Sequence, residues 1–420
     1  MNPPRPPDSP PGDERYQPLR DGHMADPSAD HRRLRAECPV YHSAAHDLYV
    51  ISRYDDVVAA GRDVGRFSSA TPSSGQRVLA AEALAENVGS PPPYPPKENL
   101  ATVDPPLHTL NRKVMTAFFS PRYLRGLEPT VRAVAAELLD GFADRGQVEF
   151  VAEYATWLPM TVITAVLGFP PGEVGQLKGW SDAFARGLSA DLTVDTQRAM
   201  VRATRLITEY VLYHAELRRR APGDDLISHL TAAVRDDGTR LDDRDIASLA
   251  LTALVGGNET TTNLLGGMLL LLVDHPDALA ALRADLSLAD GVVEEALRLV
   301  SPTQALYRVT TQPVELRGSV IPAGRRVHLL WGSANRDESV FTEPDRFDIF
   351  RANARQHVAF GTGPHFCVGS PLARLEAKVT LQTVIPRLRN LRRSSTAAAP
   401  RWKRHFHLRG LETLPLEFDP

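Results

Sequence analysis

Apolar residues recur along this chain mainly with the period of an α-helix. Leu127, Val131, Val134, Leu138, Leu139 and Phe142 follow one another at helical intervals and mark an amphipathic helix. Shorter helical patterns cover residues 226–235 and 275–283. The longest covers residues 246–273 and is apolar nearly all round, as suits a helix through the centre of a domain. Strand signals are fewer: residues 48–51, a hairpin-like stretch around Ile321-Pro322-Ala323-Gly324 followed by residues 327–331, and residues 414–418. There is no internal repeat. The pattern predicts a mainly α protein with small β-sheets at one edge.

The long central pattern carries a polar insertion, Gly256-Gly257-Asn258-Glu259-Thr260-Thr261-Thr262-Asn263. Burying polar groups costs several kcal/mol unless they are paired, so this cluster needs a reason. Paired glycines weaken a helix and a threonine can divert a backbone hydrogen bond, which leaves room for a local bulge. Asn and Thr could instead cap a helix end, but apolar sequence continues on both sides.

Composition narrows the picture. A formal net charge of -3 gives no basic field for nucleic acid or an anionic membrane. Of the 420 residues 43% are hydrophobic, enough for a core around a large cofactor. Two cysteines, Cys38 and Cys367, are too few for a disulfide framework or a four-sulfur cluster. Cys38 reads as a small packing residue. Residues 1–25 begin Pro-rich and are expected to be a disordered tail without the apolar run of a signal peptide or anchor. A soluble cytoplasmic protein is expected.

Cys367 is placed differently. It lies in a glycine-punctuated loop, with Gly361, Gly363 and Gly369 allowing close approach and positive φ. Pro371 then suits the first turn of a helix continued by Leu372, Leu375, Val379 and Thr383. Backbone amides at such a helix start stabilise a thiolate, which makes the sulfur a soft metal ligand. An isolated cysteine in a turn is more often structural, but Phe360, the spaced glycines and His365 argue for a ligand.

The run Phe360-Gly361-Thr362-Gly363-Pro364-His365-Phe366-Cys367-Val368-Gly369 resembles the haem-binding signature of the cytochromes P450. The resemblance extends from about residue 30 to the C-terminus and implies the P450 fold as one domain over residues 26–420. It implies Cys367 as the axial ligand of haem b, with Phe360, Gly361, His365 and Gly369 completing the cofactor loop. Gly256 to Thr260 resembles the family's central-helix motif, which assigns Glu259 and Thr260 to proton delivery during O2 activation; P450-like peroxygenases lack that pair. Asp104-Pro105-Pro106 reads as an N-cap with first-turn prolines, opening a helix with His108 and Arg112 on one face. By itself such a pair is usually a solvated surface feature. The family pattern makes them haem-propionate partners together with Arg308 and His365, four donors for two carboxylates.

Helical periodicity alone turns Glu295 and Arg298 away from the apolar face, as a weak surface pair. The resemblance instead assigns them to the structural E-x-x-R triad, closed by Arg346 of Pro344-Asp345-Arg346-Phe347. Residues 334–337 and 347–351 read as the family's meander.

The resemblance thus implies a haem-thiolate monooxygenase that inserts one oxygen atom of O2 into a small organic substrate, by hydroxylation or epoxidation, in natural-product biosynthesis. A monomer is expected, with electrons reaching it from NAD(P)H through a ferredoxin reductase and a ferredoxin. Lys113, Arg122, Arg374 and Lys378 form the expected ferredoxin patch. By family position the substrate pocket is lined by residues 67–97, with a stiff proline run at 91–96, and by residues 184–192, 251–254, 303–306 and 405–407. A coupling, nitration or rearrangement enzyme, or a non-catalytic haem binder, are the alternatives.

Overall fold

The computed structural model describes residues 15–70, 99–187 and 193–419. By packing, the chain divides into two compact units. The first comprises residues 15–70, Gly266–Cys367 and Ala399–Leu414; the second comprises residues 99–187, 193–265, Val368–Ala398 and 415–419.

The first unit is built on a five-stranded sheet in the order Val40–Ser43, Leu48–Ile51, Arg326–Leu330, Ala305–Thr310, Phe67–Ser68. Leu48–Ile51 pairs in parallel with Arg326–Leu330; the other pairs are antiparallel. All four residues of Leu48–Ile51 are buried, as a strand covered on both faces requires. Side chains alternate between the faces. Tyr49 and Ile51 join Val57, Ala60, Val327, Leu329 and Trp331, while Leu48 and Val50 join Tyr16, Leu34, Tyr41 and Leu330. Each such side chain contributes about 1.5–3 kcal/mol by leaving water.

Tyr16 corrects the expected tail. Disorder was predicted to residue 25, yet Tyr16 is 2% exposed and Asp21–Ala25 forms a short helix. The Tyr16 hydroxyl lies 2.7 Å from His328 Nδ1. Burial holds the phenol protonated and the imidazole neutral, so the two share an uncharged hydrogen bond. Composition reported the prolines of residues 1–14, which lie outside the described residues, and missed the aromatic anchor behind them.

The hairpin also differs from the pattern. Val314–Leu316 pairs with Ser319–Ile321 through Arg317 and Gly318, at φ 50 and 74. Two consecutive left-handed residues make the turn that matches strand twist. Gly324, at φ 71, lies between this hairpin and the sheet strand Arg326–Leu330, and Trp331 opens the helix Trp331–Ala334 instead of ending a strand.

The second unit is mainly helical, with a small sheet ordered Gln147–Glu149, Pro415–Asp419, Arg389–Arg393. The amphipathic helix is Pro121–Asp140, capped by Ser120 Oγ, which accepts from Tyr123 N–H; Leu127, Val131 and Leu139 are buried. The shorter patterns become Leu226–Ala232 here and Pro276–Ala284 in the first unit. A π-helical turn, Val151–Ala155, precedes Trp157–Leu167, which ends on Gly168 at φ 80. The central helix is Asp243–Asp274 and is α-helical throughout. No single helix among the described residues is long and apolar enough to cross a membrane.

Candidate active site

In the first unit the cysteine loop is seated by backbone contacts that only glycine permits. Gly361 and Gly363 have φ 74 and 69. A Cβ on Gly361 would stand 3.1 Å from the Trp331 ring, and one on Gly363 would stand 2.5 Å from Gly61 O. The turn Gly363–His365 follows, and Phe366 N–H donates to Gly363 O at 3.0 Å. Cys367 N–H donates to Phe360 O at 2.9 Å, closing the loop on itself. Phe366 and Cys367 are exposed, whereas Gly361 and Thr362 are buried. The helix Ser370–Arg387 begins just beyond, with Gly369 at its cap position and Pro371 in its first turn.

The chain enters this loop through a network of buried charges. The side chains of Glu295 and Arg298 are both fully buried on Ala289–Val300, against the surface pair that periodicity suggests. Arg298 Nε and Nη2 donate to the two Glu295 oxygens at 2.8 and 2.7 Å, and Nη1 donates to Asn335 O and Pro344 O. Burial draws the Arg298 guanidinium down from its ordinary value, and Glu295 opposes that shift. Arg346 does not close the triad with its side chain. It offers its carbonyl to Arg298 at 3.1 Å, while its exposed guanidinium pairs with Glu343. The third member of the triad is Arg351, whose Nε donates to Glu295 Oε1 at 3.0 Å. Arg351 belongs to the meander segment noted in the sequence, but nothing in its spacing distinguished it from Arg346. Two further contacts were not foreseen. His357 Nε2 lies 3.0 Å from Glu294 Oε2, and Val358 N–H donates to Asn335 Oδ1 at 2.6 Å.

Arg308 lies 3% exposed on Ala305–Thr310, and His365 is half-buried. Of the segments expected to line a pocket, 303–306 and 405–407 come together: Gln304 N–H donates to His407 O at 2.7 Å, and Thr303 bridges Leu408. Residues 71–97, which contain the proline run, and residues 188–192 lie outside the described residues.

In the second unit the helix carrying His108 and Arg112 is Leu107–Phe118. Its cap position falls on Pro106, and no side chain caps it. Asp104 contributes its carbonyl, accepting from His108 N–H at 3.0 Å. His108 is 2% exposed and Arg112 half-buried, so the pair faces inward. On the central helix, Thr260 Oγ1 donates to Gly256 O at 2.8 Å and Thr262 Oγ1 to Asn258 O at 3.1 Å. These hydroxyls share carbonyls with the helical ladder, and the helix stays unbroken where a bulge was expected. Asn258 Nδ2 donates to Ser181 Oγ at 3.2 Å. The two glycines differ: a Cβ on Gly257 would meet Ile163 at 3.3 Å, and one on Gly256 would meet nothing within 4 Å. Gly256 is exposed in the middle of the helix, and Glu259 and Thr260 are half-buried. Among the expected docking cations Lys113 forms an exposed ion pair with Asp236, Arg122 is exposed, and Arg374 and Lys378 are half-buried.

The family model for Cytochrome P450 matches residues 183–397. The chain is 35% identical over 400 residues to cytochrome P450 monooxygenase PikC of Streptomyces venezuelae, covering 94% of this chain and 91% of that protein. It is 37% identical over 357 residues to the cyclomarin C epoxidase CymV of Salinispora arenicola, covering 85% and 87%. The structure of cytochrome P450 CYP109Q5 from Chondromyces apiculatus superposes with a TM-score of 0.83 at 39% identity, covering 94% and 96%. The chain belongs to the cytochrome P450 family and is a P450 monooxygenase with the P450 fold. Membership implies haem and the use of O2. Within the first unit the residues present fit that group: an exposed soft sulfur donor on a glycine-seated loop, with the guanidinium of Arg308 and the imidazole of His365 as donors suited to carboxylates.

Proposed function

We propose that the protein hydroxylates or epoxidises a small organic molecule in natural-product biosynthesis, acting as a cytoplasmic monomer with electrons from a ferredoxin and its NAD(P)H-dependent reductase. The exposed Cys367 on its glycine-seated loop carries this reading. Cys367 Sγ is the iron ligand, and His108, Arg112, Arg308 and His365 hold the propionates. Bound haem supplies the iron at which O2 is activated.

The central helix manages protons. Thr260 gives its hydroxyl proton to Gly256 O, so its oxygen lone pairs are left to accept a hydrogen bond from a water. Glu259, on the same turn and half-buried, exchanges protons between that water and solvent. Relatives of this chain include an epoxidase of a named natural product, which supports the substrate class. Lys113, which forms an exposed pair with Asp236, and Arg122, Arg374 and Lys378 are the proposed ferredoxin contacts. Reversing the charge of Arg122 is expected to slow electron transfer and flatten its salt dependence.

The carbon monoxide difference spectrum of the reduced protein tests the ligand assignment. The red-shifted Soret band of thiolate-bound haem is expected, and a band at the imidazole position would overturn it. Incorporation of one atom of labelled O2 into product then tests the reaction, and a product without label would overturn the oxygen-insertion reading.

A further inference from the structure

The helix Tyr54–Arg62 ends against the cysteine loop, at a residue outside the motifs that define the family. Gly61 is buried in its last turn. A Cβ there would lie 2.5 Å from Thr362 Cγ2 and 3.8 Å from both Thr362 O and Leu329 Cδ1. The approach is reciprocal. A Cβ on Gly363 would meet Gly61 O at 2.5 Å and Arg62 Cα at 2.9 Å. Close-packed backbone cannot yield to such contacts without moving. Thr362 is 9% exposed and β-branched, so it has few rotamers with which to step aside. Gly363 therefore lies against helix backbone and Gly61 against the Thr362 methyl, with a hydrogen atom required on both sides.

Displacement at this contact reaches the sulfur by a short path. Gly363 O holds Phe366 N–H, and Phe360 O holds Cys367 N–H, so the two ends of the loop are tied to each other across Thr362 and Gly363. We propose that Gly61 is a positioning residue for Cys367: the missing side chain at the helix end sets how deeply Thr362 and Gly363 seat, and thereby where the sulfur stands. This inference rests on the reading of Cys367 as the iron ligand.

The test compares Gly61→Ala with Gly61→Ala/Thr362→Ser by the reduced carbon monoxide spectrum of the haem-loaded protein. Alanine favours a helix interior over glycine, so the substitution does not weaken the helix itself. Gly61→Ala is expected to lose the thiolate band in favour of the band of a haem without thiolate. Replacing Thr362 by Ser deletes the obstructing Cγ2 and is expected to restore it. Gly126→Ala, a helical position where a Cβ meets nothing within 4 Å, is expected to leave the spectrum unchanged. Retention of the full thiolate band in Gly61→Ala overturns the inference. So does a double variant that fails to recover the band, including the case where Gly61→Ala binds no haem. A parent protein that lacks the thiolate band overturns the ligand assignment itself, and no variant is needed to see that failure.

Discussion

Two polar clusters lie inside this protein, and they are treated in opposite ways. Around Glu295 and Arg298 each side chain is buried and multiply bonded: Glu295 Oε1 takes three donors and Oε2 one, and the guanidinium reaches three backbone carbonyls besides the carboxylate. Around Gly256 to Thr260 the helix keeps open space on one side, and the threonine hydroxyl is tied only to its own helix. A buried ion pair bonded to several chain segments at once resists rearrangement, so it suits a device that holds loops. A hydroxyl with an accepting side left over, on a half-buried turn, suits the handling of a proton. The difference separates a polar group that fixes structure from one that fits the proposed proton delivery.

The largest effect should follow from breaking the multiply bonded cluster. Arg298→Ala leaves the buried Glu295 carboxylate with only Arg351 and the Asp348 N–H of its donors above and should cost about 3–5 kcal/mol, read from denaturant unfolding. A loss below about 1 kcal/mol would mean that the network is not what holds this region.

Buried polar groups without charge sharpen the contrast. Burial keeps His31 and His328 neutral and pushes His407 down to about 3, with His405 adding to the effect. The unfolded chain takes up protons at these sites below about pH 6.5. Between there and pH 3 the unfolded state therefore binds more protons. Stability should be full above pH 6.5 and fall on acidification, by up to about 1.4 kcal/mol per pH unit for each histidine. Urea midpoints across that range, compared with a His328→Gln variant, would show a shallower slope in the variant.

Changing the open cluster should barely affect the fold. Thr260→Ala should alter stability by less than about 1 kcal/mol, since alanine is the better helix former and a hydroxyl bond within the helix is lost. Haem and substrate binding should persist while product formed per NADPH falls and peroxide rises. Unchanged coupling would remove Thr260 from proton delivery. Smallest of all, Arg346→Ala removes an exposed pair with Glu343 and should stay within about 0.5 kcal/mol, whereas the resemblance alone would have ranked it with Arg298.

Much of the fold was legible because helices announce themselves locally. The stripe of Leu127, Val131 and Leu139 and the long apolar run ending at Val273 are properties of neighbouring residues, and both became helices. Residues 48–51 were readable as a strand for the same reason. Glu295 and Arg298 misled the periodicity argument, because a buried face is polar wherever its charges find partners from elsewhere in the chain. Tyr16 was overlooked since a single aromatic residue behind a proline-rich start has no periodicity to report.

The cysteine loop shows where the division lies. Its glycines, its proline and the position of Cys367 are a local code, and the sequence by itself determined the family, the haem and O2 that membership implies, and the helix that follows. Only the tertiary structure decided which arginine closes on Glu295, that Gly61 touches a loop 300 residues away, and that the central helix stays unbroken under its threonines. These outcomes depend on distances between residues far apart in the chain. Such distances are set by packing the whole core at once, and no local spacing records them.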